Sequence, residues 1–236
     1  MPKSSVDYAT DNITVYRSPC PYRCRYCWAW RIPLFRSRIR RGHYDPVKEA
    51  ERYARTGEPR TIVVSFTSDP YPPVEKSLRK TRRVLEALAR NPRHKVMVLT
   101  KNPQLALRDL DIFLRHPNMW LGTTVISLEP TDWEPYAPSP EERLSALKSA
   151  HSKGVRTWLS VEPIIPRTTY PELIVGETLD YVDWYVLGAF NYSGRLAKMG
   201  KDVLKGWYRD HVVQAISILR SHGREFHIKK ELRKYL

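Results

Sequence analysis

The stretch Cys20-Pro-Tyr-Arg-Cys-Arg-Tyr-Cys27 contains every cysteine of this 236-residue chain, in the spacing C-x3-C-x2-C. Three thiolates on one short loop can bind three irons of a [4Fe–4S] cluster, which usually has four protein ligands. The fourth iron would then be open, and an open coordination position is where metal sites carry out chemistry. Cys20, Cys24 and Cys27 are therefore the predicted metal ligands.

Two other interpretations of the cysteines stay open from spacing alone. A zinc ion could use the three thiolates with a distant fourth ligand such as His43, although structural zinc ligands usually come in two C-x2-4-C-type pairs and the chain has no second pair. A disulfide with one thiol left over would need an oxidising compartment. The amino terminus shows no secretory signal, so this is the weaker of the two.

Length and composition set the class of protein. With 236 residues, of which 42% are hydrophobic, the chain can bury one substantial core, and we expect a single domain over residues 1–236 with a short amino-terminal arm and a short carboxy-terminal extension. No apolar run is long enough to span a bilayer, which predicts a cytoplasmic protein in which thiols stay reduced. Scarce Asn and Gln beside abundant Arg, Glu and Pro are suggestive of a thermophilic source.

The formal net charge of +15 favours anionic partners, and a nucleic acid is the predicted one. The alternative is a solvated basic surface that only keeps the protein soluble. Basic residues concentrate in three stretches, the first of which is interleaved with Trp28, Trp30 and Phe35, as suits phosphates and stacked bases. The stretches are Arg31 to Arg41, Lys76 to Arg83 and Arg220 to Lys234.

Short apolar segments alternate with helical patterns along the rest of the chain. This alternation predicts a parallel sheet with right-handed crossovers, in about six βα units, too few to close an eight-unit barrel. The predicted strands are 12–16, 61–65, 95–99, 120–126, 156–161 and 183–187, with a last short strand at 226–228. The predicted helices are 46–55, 75–91, 104–115, 140–153, 171–179 and 206–222.

The motif C-x3-C-x-(aromatic)-C resembles the signature of the radical S-adenosylmethionine (SAM) superfamily. This resemblance implies an α/β fold of the partial, open TIM-barrel type, with the cysteines after the first strand. It also implies that SAM chelates the open iron of a [4Fe–4S] cluster and is cleaved reductively to a 5′-deoxyadenosyl radical, which takes a hydrogen atom from the substrate. A flavodoxin- or ferredoxin-type protein is the implied electron donor.

Further segments are similar to the spore photoproduct lyase-like branch, often labelled "DNA repair photolyase". They are Ser65 to Glu75 with Thr81-Arg82, Leu99 to Pro103, Glu129 to Arg143 and Ile228 to Leu232. Spore photoproduct lyase returns a hydrogen atom from a cysteine outside the cluster, and this chain has no such cysteine. We therefore do not predict thymine-dimer repair; Tyr71 and Tyr192 are the candidate catalytic residues that could substitute.

The loops after the strands should build the active site, because the carboxyl ends of parallel strands meet at one edge. Ser68 comes first among the residues expected to bind the SAM amino group, while Lys101 would neutralise its carboxylate. The alternatives are an ordinary turn around Ser68 and an exposed lysine before a helix. All the expected cofactor-binding residues are Tyr26, Thr67, Ser68, Asp69, Lys101, Thr124, Ser127, Ser160, Glu162 and Ile164, of which Tyr26 and Ile164 would face adenine.

Two functions from different classes follow. The first is a radical SAM enzyme, with a nucleic acid, a peptide or a small metabolite as substrate. The second is a nucleic-acid-binding protein in which the cysteine site is structural and holds zinc or an inert cluster.

Overall fold

Seven strands form one sheet in which the order along the sheet equals the order along the chain. Every neighbouring pair is parallel. The computed structural model describes residues 6–31, 44–65, 67–190 and 201–236, and the sheet they contain is an open half-barrel, which confirms the predicted partial TIM-type fold. The strands are β1 Asp11–Ile13, β2 Thr61–Val64, β3 Lys95–Thr100, β4 Met119–Thr124, β5 Arg156–Ile164, β6 Trp184–Ala189 and β7 Glu225–Ile228.

The helices follow the strands and cover the outer face of the sheet. They are α1 Pro46–Ala54, α2 Glu75–Leu78, α3 Lys80–Leu88, α4 Pro103–Ala106, α5 Leu110–Arg115, α6 Pro140–Ser152, α7 Pro171–Thr178, α8 Lys201–Trp207, α9 Val213–Ser221 and α10 Lys230–Arg233. A π-helical turn, Tyr208–Val212, joins α8 to α9, where the sequence predicts one continuous helix. A 3-10 turn, Leu107–Asp109, likewise divides the helix predicted over residues 104–115.

Local sequence explains two helix starts. Asp45 accepts hydrogen bonds from the backbone N–H groups of Val47 and Lys48, and Pro46 occupies the first turn, as predicted. Ser139 and Glu142 form a capping box at the start of α6, also as predicted. Each cap satisfies N–H groups that a helix leaves unpaired at its amino end.

The helix predicted over residues 75–91 is instead broken between α2 and α3. Arg79 adopts a left-handed conformation with φ 46°, which ends α2. The carboxylate of Glu75 turns back and accepts from the backbone N–H groups of Lys80 and Thr81, so it caps α3. One continuous helix over residues 75–91 would place Leu78 at helical spacing with Leu85 and Leu88 on the apolar face, but the break leaves Leu78 51% exposed.

The two faces of the sheet have separate cores. The outer face packs against the helices, while the concave face carries a smaller cluster that includes Trp120 and Trp158. Tyr8 packs edge-on against Trp158 with the ring centroids 6.1 Å apart, so residues 6–10 close this face and are not the loose arm that the sequence suggests. Gly122 leaves the space that the Trp158 ring occupies, because a methyl group there would overlap the indole.

No helix in the described ranges is long and apolar enough to cross a membrane.

Candidate active site

A cavity of about 990 Å³ opens at the carboxyl ends of the strands. The cysteine loop after β1 forms one part of its wall, and residues 6–8 with residues at the ends of β2 to β7 form the rest. The lining residues include Asp7, Tyr8, Cys20, Tyr22, Cys24, Tyr26, Cys27, Ser65, Thr67, Ser68, Asp69, Thr100, Lys101, Thr124, Ser160, Glu162, Lys229, Lys230 and Glu231. This is the edge at which barrel enzymes carry their chemistry.

All three cysteines are free thiols on the cavity wall. Burial raises the pKa of Cys20 to about 12 and that of Cys24 to about 11, and it also raises the pKa of Cys27. The thiols therefore stay protonated until a metal displaces the proton, since a bound metal deprotonates its thiol ligands. The backbone N–H groups of Asp69 and Tyr22 act against this burial and lower the pKa of Cys20.

Neighbouring loops hold the cysteine loop in place. The hydroxyl of Tyr22 donates to the carbonyl of Tyr71 at 2.8 Å, and the N–H of Arg25 donates to the carbonyl of Trp133 at 2.8 Å. Arg23 adopts a left-handed conformation with φ 45°, which turns the chain between the first two cysteines. The loop is thereby tied to the segments after β2 and β4.

Asp69 organises the loop after β2 from inside. Its carboxylate accepts from Tyr71 N at 2.8 Å, Thr100 Oγ1 at 2.6 Å and Lys101 N at 2.6 Å. These three bonds join the ends of β2 and β3. Ser68 also lines the cavity and is only 7% exposed. Unlike the Asp69 carboxylate, its hydroxyl oxygen has no hydrogen-bond partner within the part of the chain that is described. A buried hydroxyl without a partner is costly unless a ligand satisfies it.

Glu134 lies at the centre of a buried charge cluster beside the cysteine loop. Its carboxylate pairs with Lys101 Nζ at 2.7 Å and Arg143 Nη2 at 2.5 Å, and it accepts a hydrogen bond from the Tyr26 hydroxyl. Burial disfavours the charged carboxylate, but the two cations outweigh it and hold the pKa of Glu134 at about 2. Arg143 is 1% exposed and also donates to the carbonyl of Thr124 at 2.6 Å. The cluster connects Tyr26, between two cysteines, to the ends of β3 and β4.

A second ion pair crosses the other side of the cavity. Lys229 Nζ lies 2.5 Å from Glu162 Oε1 and 3.2 Å from Glu231 Oε1. Burial raises the pKa of Glu162 although Lys229 opposes it. The Glu162 side chain lies over Gly188, where a Cβ would come within 2.7 Å of its carboxyl carbon. Glycine at this position is what lets the carboxylate reach the end of β7.

The structure brings most of the predicted site residues to one cavity. Among the described residues, three predicted site residues do not line the cavity: Tyr71, Ser127 and Ile164. The buried hydroxyl of Tyr71 donates to Asp109 at 3.1 Å, and the hydroxyl of Ser127 accepts from Glu129 N. Ile164 is buried in the outer core. Outside the described residues are Phe35, Arg36, Arg38, Arg40, Arg41, His43 and Tyr192, and the side chain of Arg31. The predicted site residues that do line the cavity are Cys20, Cys24, Cys27, Tyr26, Thr67, Ser68, Asp69, Lys101, Thr124, Ser160 and Glu162.

Sequence reasoning missed Glu134, Arg143 and Lys229. The first two lie in the segment Glu129 to Arg143, and the third in Ile228 to Leu232. Both segments are among those that resemble the lyase-like branch. The charged residues inside these segments were the signal from which the three residues could have been found.

The donor set fits a cluster bound by one loop and a small polar ligand beside it. Three buried thiols share the wall with the unpartnered hydroxyl of Ser68 and with Lys101. In the described ranges, no three His, Cys, Asp or Glu side chains are grouped around one position that could hold a single metal ion. The fit to a cluster therefore rests on three cysteines of one loop that would each bind a different iron.

Comparison with known proteins defines the class. The model of the family described as "Radical SAM superfamily" matches residues 18–175, which include the cysteine loop and β2 to β5. The chain belongs to the radical SAM superfamily. Membership implies a [4Fe–4S] cluster and SAM as cofactors, and it supports a radical SAM enzyme.

Two kinds of relative can be named. The chain is 32% identical over 177 residues to the uncharacterized protein MJ0683 of Methanocaldococcus jannaschii, an alignment that covers 73% of this chain and 67% of the relative. Among solved structures, a cysteine-to-serine mutant of spore photoproduct lyase is similar with a TM-score of 0.68 at 16% identity, covering 97% of this chain and 78% of that one.

Streptococcus suis SuiB bound to S-adenosylmethionine is similar with a TM-score of 0.58 at 15% identity, over 92% of this chain. The chain spans about half the length of SuiB, since it covers 50% of it. At these identities the structural likenesses show the fold alone.

Proposed function

We propose that this enzyme binds SAM across the cavity, next to a cluster held by Cys20, Cys24 and Cys27, and acts on a nucleic acid. When bound, the reduced cluster would supply the electron for reductive cleavage of SAM, and the radical chemistry that this provides would remove a hydrogen atom from the substrate. The observation that carries the proposal is that the three thiols, the unpartnered hydroxyl of Ser68 and the cation of Lys101 share one cavity wall.

The chain's own residues have distinct roles in this proposal. Ser68 would accept a hydrogen bond from the ammonium group of SAM, which gives its buried oxygen the missing partner. Lys101 would pair with the SAM carboxylate, while Glu134 holds the ammonium group of Lys101 in place. Asp69 would keep the loops after β2 and β3 in register, because its three hydrogen bonds are all internal.

Charge supports a nucleic acid as the substrate. The lining itself has four carboxylates, from Asp7, Asp69, Glu162 and Glu231, against the three lysines Lys101, Lys229 and Lys230, so the positive excess of the chain lies outside the cavity. One basic stretch, Arg220 to Lys234, nevertheless reaches the cavity wall through Lys229 and Lys230, of which Lys229 is already paired with Glu162 and Glu231. A phosphate backbone could follow this stretch while one nucleotide enters the cavity.

Anaerobic reconstitution with iron and sulfide tests the enzyme class. We expect a brown protein that, after reduction with dithionite, converts SAM into 5′-deoxyadenosine and methionine. A colourless zinc protein that leaves SAM intact would contradict the proposal and support a structural metal site.

Salt dependence tests the substrate class. We expect the affinity for a labelled single-stranded oligonucleotide to fall steeply as salt rises, because phosphate contacts release counterions. The variant Lys230→Gln/Arg233→Gln should bind more weakly and show a smaller salt slope. Affinity that stays flat across salt would count against a nucleic acid.

A further inference from the structure

A short exposed segment beside the cysteine loop carries apolar and basic side chains together. Val74 and Leu78 lie one helical turn apart and are 46% and 51% exposed. Glu75 between them is fully buried, which removes its carboxylate from the surface. We call this the α2–α3 surface, and its members are Val74, Lys76, Leu78, Arg79, Lys80 and Arg83.

The basic side chains of this surface have no ion-pair partner within the described ranges. Arg82, on the same helix, shows the contrast: it pairs with Asp109 at 3.2 Å and with Asp111 at 2.8 Å, and its charge is already used. None of the four positive charges around the two exposed aliphatic side chains is neutralised by a carboxylate of the described residues, although the Lys80 ammonium lies 5.8 Å from the centroid of the Tyr16 ring. A small apolar centre with a charged rim is the usual composition of a protein–protein docking site.

The α2–α3 surface is connected directly to the cysteine loop. The hydroxyl of Tyr22, which lies between the first two cysteines, donates to the carbonyl of Tyr71 at 2.8 Å, three residues before Val74. Tyr16, just before the loop, donates its hydroxyl to Glu75 of α2. A protein bound here would thus be separated from the cluster loop by only a few packed residues.

We propose that the α2–α3 surface docks an acidic protein that carries a one-electron centre and reduces the cluster. This rests on the proposed function, because reductive cleavage of SAM needs an electron from outside the chain. In the step, the carrier loses one electron and the cluster gains it; no bond is formed or broken, and no proton is transferred.

Charge complementarity argues for this occupant. An acidic carrier would be attracted by the basic rim, and electron-transfer contacts are small and transient, which suits six surface residues. Val74 and Leu78 are aliphatic, so they offer no flat aromatic face on which nucleic-acid bases could stack. The surface therefore fits an acidic protein better than a nucleic acid.

Binding can be measured without any turnover. The probe is an oxidised flavodoxin, titrated into the protein without its cluster, with flavin fluorescence anisotropy as the signal. We expect Lys76→Glu/Arg83→Glu to weaken binding by about tenfold or more at about 50 mM ionic strength, and the loss to shrink as salt screens the charges. The matched control is Arg93→Glu/Lys153→Glu, which makes the same charge change near the amino ends of β3 and β5 and should bind like the unmodified protein.

Electron transfer gives an independent measurement. With the reconstituted protein, stopped-flow absorbance should show that the charge-reversed variant is reduced more slowly by reduced flavodoxin, by about the same factor as the loss of affinity. Titanium(III) citrate, a small reductant that needs no docking surface, should reduce the variant and the unmodified protein equally fast. The apolar variant Val74→Ser/Leu78→Ser should also bind flavodoxin more weakly, with an unchanged salt slope.

The outcomes separate this inference from the proposed function. If the unmodified protein reduced with titanium(III) citrate leaves SAM intact, the proposed function is wrong. If SAM is cleaved but Lys76→Glu/Arg83→Glu binds flavodoxin unchanged, the docking proposal alone is overturned. If that variant loses oligonucleotide binding while flavodoxin binding stays unchanged, the surface serves a nucleic acid and the proposal is likewise overturned.

Discussion

Lys101 and Glu134 form a buried ion pair, with 2.7 Å between Nζ and Oε1, that joins the ends of β3 and β4 beside the cysteine loop. Because Arg143 pairs with the same carboxylate, the three groups together carry one net positive charge. Of the three, only Lys101 lines the cavity. Its ammonium has three donors, so it can keep Glu134 and still donate to an anionic group in the cavity.

Glu134 should make the stability of the protein acid-dependent. Its pKa is about 2 in the folded protein, against an ordinary value of 4.5, so its stabilising contribution is complete above pH 4.5 and is lost as the pH falls towards 2. The shift corresponds to about 3 kcal/mol in the free energy of unfolding. Urea unfolding of the cluster-free protein across this pH range measures it.

Glu134→Gln should lower the free energy of unfolding at neutral pH by about 3 kcal/mol, since it leaves Arg143 buried without a counter-charge. It should also flatten the pH dependence below 4.5. Glu129→Gln, an exposed neighbour on the same loop, is the control and should change neither quantity. If the two variants behave alike, Glu134 has no special electrostatic role.

Ser68→Ala should weaken SAM binding because the ammonium group loses a hydrogen bond. Hydrogen bonds to charged groups contribute about 1.5–3 kcal/mol, which corresponds to roughly a 10- to 150-fold rise in Kd. Equilibrium dialysis of labelled SAM with the reconstituted protein measures it. Ser127→Ala should bind SAM normally, since Ser127 does not line the cavity; equal losses in both variants would remove Ser68 from the site.

Replacing Cys20, Cys24 or Cys27 by Ala should each abolish the absorbance near about 400 nm that iron–sulfur clusters give, together with SAM cleavage. The physical reason is that all three thiols belong to the same cavity wall and the chain has no other cysteine to replace one. Circular dichroism should stay close to that of the unmodified protein. A variant that keeps both the absorbance and the cleavage would contradict the ligand assignment.

Tyr71→Phe tests whether the predicted catalytic tyrosine reacts or supports the fold. Its hydroxyl is fully buried and donates to Asp109, so we expect a loss of about 1.5–3 kcal/mol in stability. We expect SAM cleavage per folded molecule to stay unchanged. If product formation stops while cleavage and stability do not change, Tyr71 is a hydrogen donor after all.

Gly122→Ala should destabilise the concave face, because the added methyl group overlaps the fully buried ring of Trp158. Overpacking of this kind costs about 1–3 kcal/mol. Gly176→Ala, in α7, is the matched control: nothing lies within 4 Å of its Cβ, and alanine there should stabilise by about 0.5–1 kcal/mol. Thermal unfolding should move in opposite directions for the two variants.

The sequence determined the class of fold and the metal loop. Alternating apolar strands and helices require a parallel sheet, and the cysteine spacing is local, so both can be recognised without knowing how distant segments meet. Caps such as Asp45 and Ser139 were predictable for the same reason, since each acts within a few residues. The boundaries of helices and strands were less predictable from the sequence. For example, the break at Arg79 depends on where the Glu75 carboxylate is buried.

Only the tertiary structure decided which polar residues belong to the cavity. Glu134 reaches Lys101 and Arg143 from separate segments, and Lys229 meets Glu162 from 67 residues away. Tyr71, Ser127 and Ile164 have residue types that suit a ligand, yet their contacts are with the protein interior or their own loop. Contacts between distant segments follow from packing geometry, which a local pattern does not specify.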